Sequence, residues 1–346
     1  MRFRFQKRHE FVVFFRRDIH YFIRAESGHN LERITFRRDF FKSRKVVEHL
    51  VRSKKIFYVR FFDQADRRYV VFLDIFVTFR PDLNAERMEN SCRRLEMPVF
   101  PKERFIEAVL RTIEANKDWV PPYGSGATLY LRPYMFGSNA VIGVKPADEY
   151  QFRILCTPVG PYFKGGVKPI KVRISDLDRA APHGTGDIKA GLNYAMSLHN
   201  IVDAHKCGYA ENIYTDPASH TYIEETGGAN ILFVTKDGKL VTPKSNSILP
   251  SITRRSLLQV AKDYLHIEVE ERQVNKNELA DFAEIGLCGT AAVISPIGQI
   301  DDHGKSIMVP AGMDEIGPVL GKLRETLTGI QMGTVEAPKG WIYEIK

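Results

Sequence analysis

From residue 80 onward the apolar positions recur with two clear periods. Pro81-Asp82-Leu83-Asn84 opens a helix rich in Glu and Arg, and Lys102 to Asn116 reads as a second, with Phe105, Val109 and Ile113 on one face. Alternation predicts strands over Thr128 to Phe136, Gln151 to Thr157 and Ile170 to Ile174. Leu192, Ala195, Met196, His199 and Val202 form a helical stripe, closed by Gly208. Tyr222 to Glu224 and Ile231 to Thr235 are strand-like, and Asp237-Gly238 ahead of Lys239 to Thr242 predicts a hairpin. Thr253 begins another helix with Leu257, Leu258, Ala261 and Leu265 on one side, and Ile267 to Val274 alternates again. Helices interspersed among strands without regular βαβ repetition predict an α+β chain. Pro158-Val159-Gly160-Pro161 and Lys164-Gly165-Gly166 are loop signals. They place an interdomain connection at 158–168, between a smaller domain (80–157) and a larger one (169–346).

Residues 1–79 have a different texture. They hold 15 of the 22 Phe, no Pro and a single Gly, Gly28. Turns need Gly and Pro, which ordinary chains carry at roughly 7% and 5%. Phe57, Val59 and Phe61, or Tyr69, Val71 and Leu73, could line strand faces, and Lys45 to Lys55 could be helical. Elsewhere Arg and Phe interleave without a period. A divergent half-domain, a disordered basic arm and a wrong-frame translation joined to a real protein all fit. The abrupt change near Thr78–Arg80 favours the last.

Charge follows the same division. The net +8 over 346 residues is the sum of +11 in residues 1–60 (17 Lys/Arg, 6 Asp/Glu) and −3 in the remainder. A basic aromatic arm could hold nucleic acid by phosphate contacts and stacking, but no RNP, KH or zinc-finger pattern accompanies it. Cys92, Cys156, Cys207 and Cys288 lie far apart, without CxxC or metal-ligand spacing, which points to free thiols in a reducing cytoplasm and to no structural metal. No apolar run reaches membrane-span length, and the N-terminus has no apolar signal core.

The most informative segment runs from Gly184 to Asn193, Gly-Thr-Gly-Asp-Ile-Lys-Ala-Gly-Leu-Asn. It sets one amine, Lys189, in a glycine-rich turn just before a helix. Glycine permits close backbone approach and φ > 0. Such a turn can present an amine to a carbonyl cofactor, or it can be a solvated loop. This segment by itself weighs the two evenly.

Other segments decide between them. In order they are Tyr130-Leu-Arg-Pro133; Gly184 to Lys189 with Asn193-Tyr194; Ile223-Glu-Glu225-Thr-Gly-Gly-Ala-Asn230; Leu249-Pro-Ser-Ile-Thr-Arg254; and Gly289-Thr-Ala291. Together with Phe79-Arg80-Pro81-Asp82-Leu83-Asn84 and the tail Val335 to Trp341, they resemble the branched-chain-amino-acid aminotransferases, which are fold-type IV pyridoxal-phosphate enzymes. The resemblance covers about Thr78 to Lys346. It implies a two-domain α+β fold, the cofactor pyridoxal 5′-phosphate, and amino transfer between Leu, Ile or Val and 2-oxoglutarate through a Schiff base on Lys189. It also implies a homodimer.

The resemblance gives roles to residues. Lys189 carries the cofactor and moves the proton between Cα and C4′, which needs an amine made more acidic by burial or nearby positive charge. Glu225 faces the pyridine nitrogen, and Glu224 points the other way. Tyr194 lies beside the phenolic oxygen. Arg80, Ile252, Thr253 and Thr290 hold the phosphate, the backbone of 252 and 253 at a helix start; alone, Thr253 would read as an N-cap. Residue 251 is Ser where the family commonly has Gly. Tyr130, Arg132 and the Ala291 N–H meet the substrate carboxylate. Ala292 and Ser295 stand where some relatives have a redox CxxC. No aromatic-Glu-Gly strand end, which lines the family's pocket, occurs in residues 1–79. Alternative readings are a D-amino-acid aminotransferase or aminodeoxychorismate lyase on the same fold, and an inactive remnant with a nucleic-acid-binding arm.

Overall fold

The computed structural model describes residues 76–160 and 166–345. Residues 1–75, and with them the strand and helix readings there, lie outside the described residues. The chain enters on β1 (Phe76–Phe79), followed by α1 (Pro81–Arg94) and α2 (Lys102–Ala115). Pro81 at the first helical position starts α1. Phe105, Val109 and Ile113 are the buried face of α2, as the 3.6 period requires. β2 (Thr128–Gly137) and β3 (Tyr150–Val159) then pair antiparallel as a separate two-stranded sheet. β3 thus continues into the first two residues assigned to the connection.

The rest of the chain is built on β4 (Ile170–Ile174), α3 (Gly191–Lys206), β5 (Glu211–Thr215), β6 (Ile223–Thr226), β7 (Asn230–Val234) and β8 (Leu240–Pro243). α4 (Ile252–Asp263), β9 (Val269–Arg272), β10 (Glu284–Gly289), β11 (Val293–Asp302), β12 (Lys305–Met308), α5 (Pro318–Met332) and β13 (Ile342–Ile345) complete it. Nine strands make one mixed sheet in the order β6-β5-β4-β11-β10-β7-β8-β9, with β12 on β11. Pairing is parallel at β4–β5, β4–β11 and β8–β9, and antiparallel elsewhere. The Asp237-Gly238 hairpin joins β7 to β8, with Gly238 at φ +86°.

Both faces of this sheet are covered, and β7 shows how. Its residues alternate between two cores. Ile231 and Phe233 join Ile223, Val241, Ile285 and Ile297 on one side. Leu232 and Val234 face the other, against Leu257, Leu258 and Ala261 of α4 and Leu320, Leu323 and Leu327 of α5. A strand buried on both faces reads as a continuous apolar run. α5 begins at Pro318 and stops at Gly333, φ +76°. Its first N–H groups, on Val319 and Leu320, donate to the buried carboxylate of Glu284 at 3.0 and 2.8 Å. Glu284→Ala is expected to destabilise the fold by about 3 kcal/mol, since two charge-assisted bonds and a favourable dipole contact vanish. Urea unfolding measures it, and an unchanged midpoint contradicts this account.

Several readings from the sequence need correction. The change of texture groups Phe76–Phe79 with the atypical segment, but they pair antiparallel with β13, Phe79 opposite Ile342. A short strand completed by the C-terminal residues leaves no local period to read. The stripe Leu192, Ala195, Met196, His199 and Val202 lies on a helix as expected, yet on its exposed face. The buried face is Asn193, Ser197, Asn200 and Ala204. Hydrogen bonds, not apolar burial, dock α3: Asn200 Nδ2 donates to Ser175 Oγ at 2.5 Å and to the Tyr214 hydroxyl at 3.2 Å. Tyr222 falls outside β6, and Leu265 lies beyond the end of α4. The N-cap of α4 is Ser251, whose hydroxyl accepts from Arg254 N at 3.2 Å. Thr253 sits buried inside the helix. The extra residue at each of these ends is decided by tertiary contacts.

Candidate active site

Lys189 stands at the end of a turn held by two helices. From α3, the Asn193 amide donates to Thr185 O at 2.7 Å and Ile188 O at 2.9 Å, and its oxygen accepts from Thr185 Oγ1 at 3.0 Å. From α1, Ser91 Oγ accepts the Lys189 N–H at 3.0 Å. The lysine backbone is therefore fixed while its side chain is free to reach. Nζ donates to the Tyr194 hydroxyl at 2.5 Å and lies 4.9 Å from the centre of that ring. Lys189 is exposed and Tyr194 is 42% exposed, so the amine is open to solvent.

The glycines serve space rather than φ. Neither Gly184 nor Gly186 has positive φ; the left-handed residue here is His183, at +56°. A Cβ on Gly186 would collide with Ser247 O, and lie 2.7 Å from Arg179 Nη2 and 2.9 Å from Ala180 Cβ. Gly186→Ala is expected to cost about 1–3 kcal/mol, because backbone rather than a flexible side-chain tip must give way. Chemical denaturation checks it; a neutral result means the turn repacks freely.

Across the cleft, Glu225 is 3% exposed on β6. Its Oε1 accepts the Leu249 N–H at 2.8 Å and pairs with Arg179 Nη2 at 2.8 Å, and its Oε2 accepts Asn230 Nδ2 at 2.5 Å. Burial nevertheless outweighs these partners and pushes its carboxyl up to about 7. The adjacent Glu224 takes a different partner, Ser245 Oγ at 2.6 Å, and burial raises it as well.

One small cleft, open to solvent, is bordered by Tyr194, Glu225, Thr226, Gly227, Gly228 and Leu249, among others. It brings Tyr194, whose hydroxyl takes the Lys189 amine, to the same cleft as the buried carboxylate. The glycines leave its floor without side chains. A flat aromatic cation with a hydrogen-bond donor fits this set: acceptor lone pairs at Glu225, a phenol, and an amine. Asn230 Oδ1 and Arg179 Nε are buried there without hydrogen-bond partners among the described residues.

Of the sequence-selected residues, Tyr194 and Glu225 border this cleft and the others, Lys189 included, do not. Arg80 is buried, lies 4.8 Å over the Trp341 ring and meets Asp82 at 3.7 Å. Ile252 and Thr253 are buried in the first turn of α4, after Leu249 at the cleft. Thr290 and Ala291 are exposed in the turn between β10 and β11. Tyr130 and Arg132 are neighbours on β2, the guanidinium 5.5 Å from the ring centre. Sequence reasoning passed over Arg179 and gave Asn230 and Asn193 no role. Asn230 lies five residues after Glu225 and Asn193 four after Lys189, where an isolated polar residue in an apolar or helical run was the available signal.

Residues 75–300 match the family model for amino-transferase class IV. The chain belongs to the class IV aminotransferases. It is 51% identical over 273 residues to the branched-chain-amino-acid aminotransferase of Haemophilus influenzae, covering 78% of this chain and 79% of that one. To the Helicobacter pylori enzyme of the same name it is 48% identical, covering 77% and 78%. Among solved structures it resembles the Escherichia coli branched-chain amino acid aminotransferase, with TM-score 0.65 and 30% identity over 78% of this chain and 85% of that one. It also resembles the Thermobaculum terrenum branched-chain amino acid aminotransferase in its PLP form, with TM-score 0.66 and 26% identity over 83% and 87%. The fold-type IV expectation therefore holds for the described residues, 76–160 and 166–345. The four cysteines are free. No described helix is long and apolar enough to cross a membrane, and no described cluster of His, Cys, Asp and Glu would hold a metal.

Proposed function

We propose that this aminotransferase exchanges the amino group between branched-chain L-amino acids (Leu, Ile, Val) and 2-oxoglutarate, with pyridoxal 5′-phosphate held at Lys189. The observation that carries it is one cleft lined by a buried carboxylate and by the phenol that is hydrogen-bonded to the Lys189 amine. The cofactor supplies the aldehyde that takes the amine and the ring that withdraws electrons. The protein supplies position and proton transfer. Lys189 Nζ would hold the cofactor and would carry the proton taken from the substrate Cα. Tyr194 shares a hydrogen bond with that amine and donates to the phenolic oxygen. Glu225 holds a proton on the pyridine nitrogen, fixed by its own donors so that little reorganisation is needed.

The first turn of α4 (Ile252, Thr253) with Thr290 and Arg80 receives the phosphate. Tyr130, Arg132 and the Ala291 N–H receive the substrate carboxylate. Residues 80–157 act as the smaller domain and 169–346 as the larger, in a cytoplasmic homodimer. Curated relatives named for this reaction support the substrate class. The test is the visible spectrum of the purified chain with pyridoxal phosphate, before and after L-leucine. A band that leucine bleaches, with D-alanine and aminodeoxychorismate inert, supports the proposal. Bleaching by D-alanine, or conversion of aminodeoxychorismate, selects the other chemistry on this fold.

A further inference from the structure

Arg179 is the one buried cation, among the described residues, that touches three of the segments assembled at the cleft. Its Nη2 donates to Ser247 O in the loop before α4 and to Gly186 O in the lysine turn, the latter at 3.4 Å. The same nitrogen pairs with Glu225 Oε1 at 2.8 Å, with side chains only 5% and 4% exposed. Gly186 makes room for this, since a Cβ there would lie 2.7 Å from Nη2. We propose that Arg179 is a positioning residue: through one buried guanidinium it fixes Glu225 against the lysine turn and the α4 loop, and keeps that carboxylate charged toward the cofactor ring. This rests on the cofactor assignment above.

The surroundings leave the task to Arg179. The charged and titratable groups facing Glu225 are Arg179, Arg254 on α4 and Cys288 on β10, while Glu224 beside it on β6 turns to Ser245. Arg254 is turned aside, its Nη1 on Pro243 O at 2.9 Å. Burial pushes the Cys288 thiol up to about 12, so it brings no charge at neutral pH. Glu225 Oε1 is filled by Arg179 and Leu249, and Oε2 by Asn230, which leaves a lone pair on Oε2 for a ring N–H. A neutral acid in place of the carboxylate would lose that charge-assisted bond.

Two readouts test this. In the apo chain, the carboxylic acid infrared band that Glu225→Gln removes reports the protonation midpoint of Glu225. Arg179→Met should move that midpoint up by roughly one to three pH units, the usual effect of an opposite charge at this range. Arg179→Lys keeps the charge and should restore most of it. In the second readout, Arg179→Met should weaken pyridoxal phosphate binding by about tenfold or more, the worth of one charge-assisted bond. Starting from Glu225→Gln, the same substitution should change affinity less than about twofold, because Arg179 acts through Glu225. An unmoved midpoint overturns the proposal, as does an equal affinity loss in both backgrounds. If Arg179→Met does not fold, Arg179→Lys and the neutral double variant still decide. Failure of the wild-type chain to form a lysine-dependent band would instead overturn the cofactor assignment, while the apo titration would still judge Arg179.

Discussion

Lys189→Ala is expected to lower leucine-dependent transamination by about four orders of magnitude or more, while leaving the fold intact. The lysine is asked to do two things, attach the cofactor and carry the Cα proton. General acid–base transfer alone is worth roughly 10² to 10⁴ in rate, and covalent attachment adds the orientation of the reacting carbon. No other described amine hydrogen-bonds to Tyr194. The side chain is exposed and makes one hydrogen bond, so its loss costs little stability. Stopped assays with L-leucine and 2-oxoglutarate measure the rate, thermal unfolding the stability. Lysine's role is refuted if turnover persists within about a hundredfold of wild type, a range that proton transfer by another group could supply.

Glu225→Gln is expected to separate stability from activity. In the folded chain burial pushes the carboxyl up from 4.5 to about 7. Between those values the folded state keeps a proton that the unfolded state has released, so stability falls as pH rises through this window. The gap corresponds to about 3 kcal/mol, fully expressed above pH 7. Glutamine mimics the protonated acid and carries no such dependence. The variant should match wild type at pH 5 and exceed it by about 3 kcal/mol at pH 8, while turnover falls roughly a hundredfold or more. Glu211 and Glu224 are raised by burial too, so the difference between variants, not either profile alone, isolates Glu225. Urea unfolding at the two pH values measures it. A variant less stable than wild type at pH 8 would mean that the ionised pair with Arg179 stabilises the fold. A buried charge retained at a cost in stability is what a functional carboxylate predicts.

The elements with strong periods were legible along the chain. α2 shows its buried face every three to four residues, β4 alternates, and the Asp237-Gly238 turn needs the positive φ that Gly238 adopts. The glycine turn drew attention to Lys189 without deciding its role, and Tyr194 and Glu225 stood out only through the ordered motifs that resemble the family. What the chain could not show was any decision made by distant partners. α3 has an apolar face that periodicity reads as core, yet its polar face docks, because Asn193 and Asn200 satisfy backbone and hydroxyl groups that would otherwise be buried unpaired. β1 is a strand only because the last residues of the chain supply its partner.

The site divides in the same way. Sequence supplied the candidate amine, phenol and carboxylate, since these are covalent properties and their order stands in the motifs. The tertiary structure decided which of them meet and in what state. Arg179 is an ordinary arginine in sequence, 46 residues from Glu225. It becomes the counter-ion only because the sheet sets both beside one loop, 2.8 Å apart and out of water, where a charge must be paired or lose its proton.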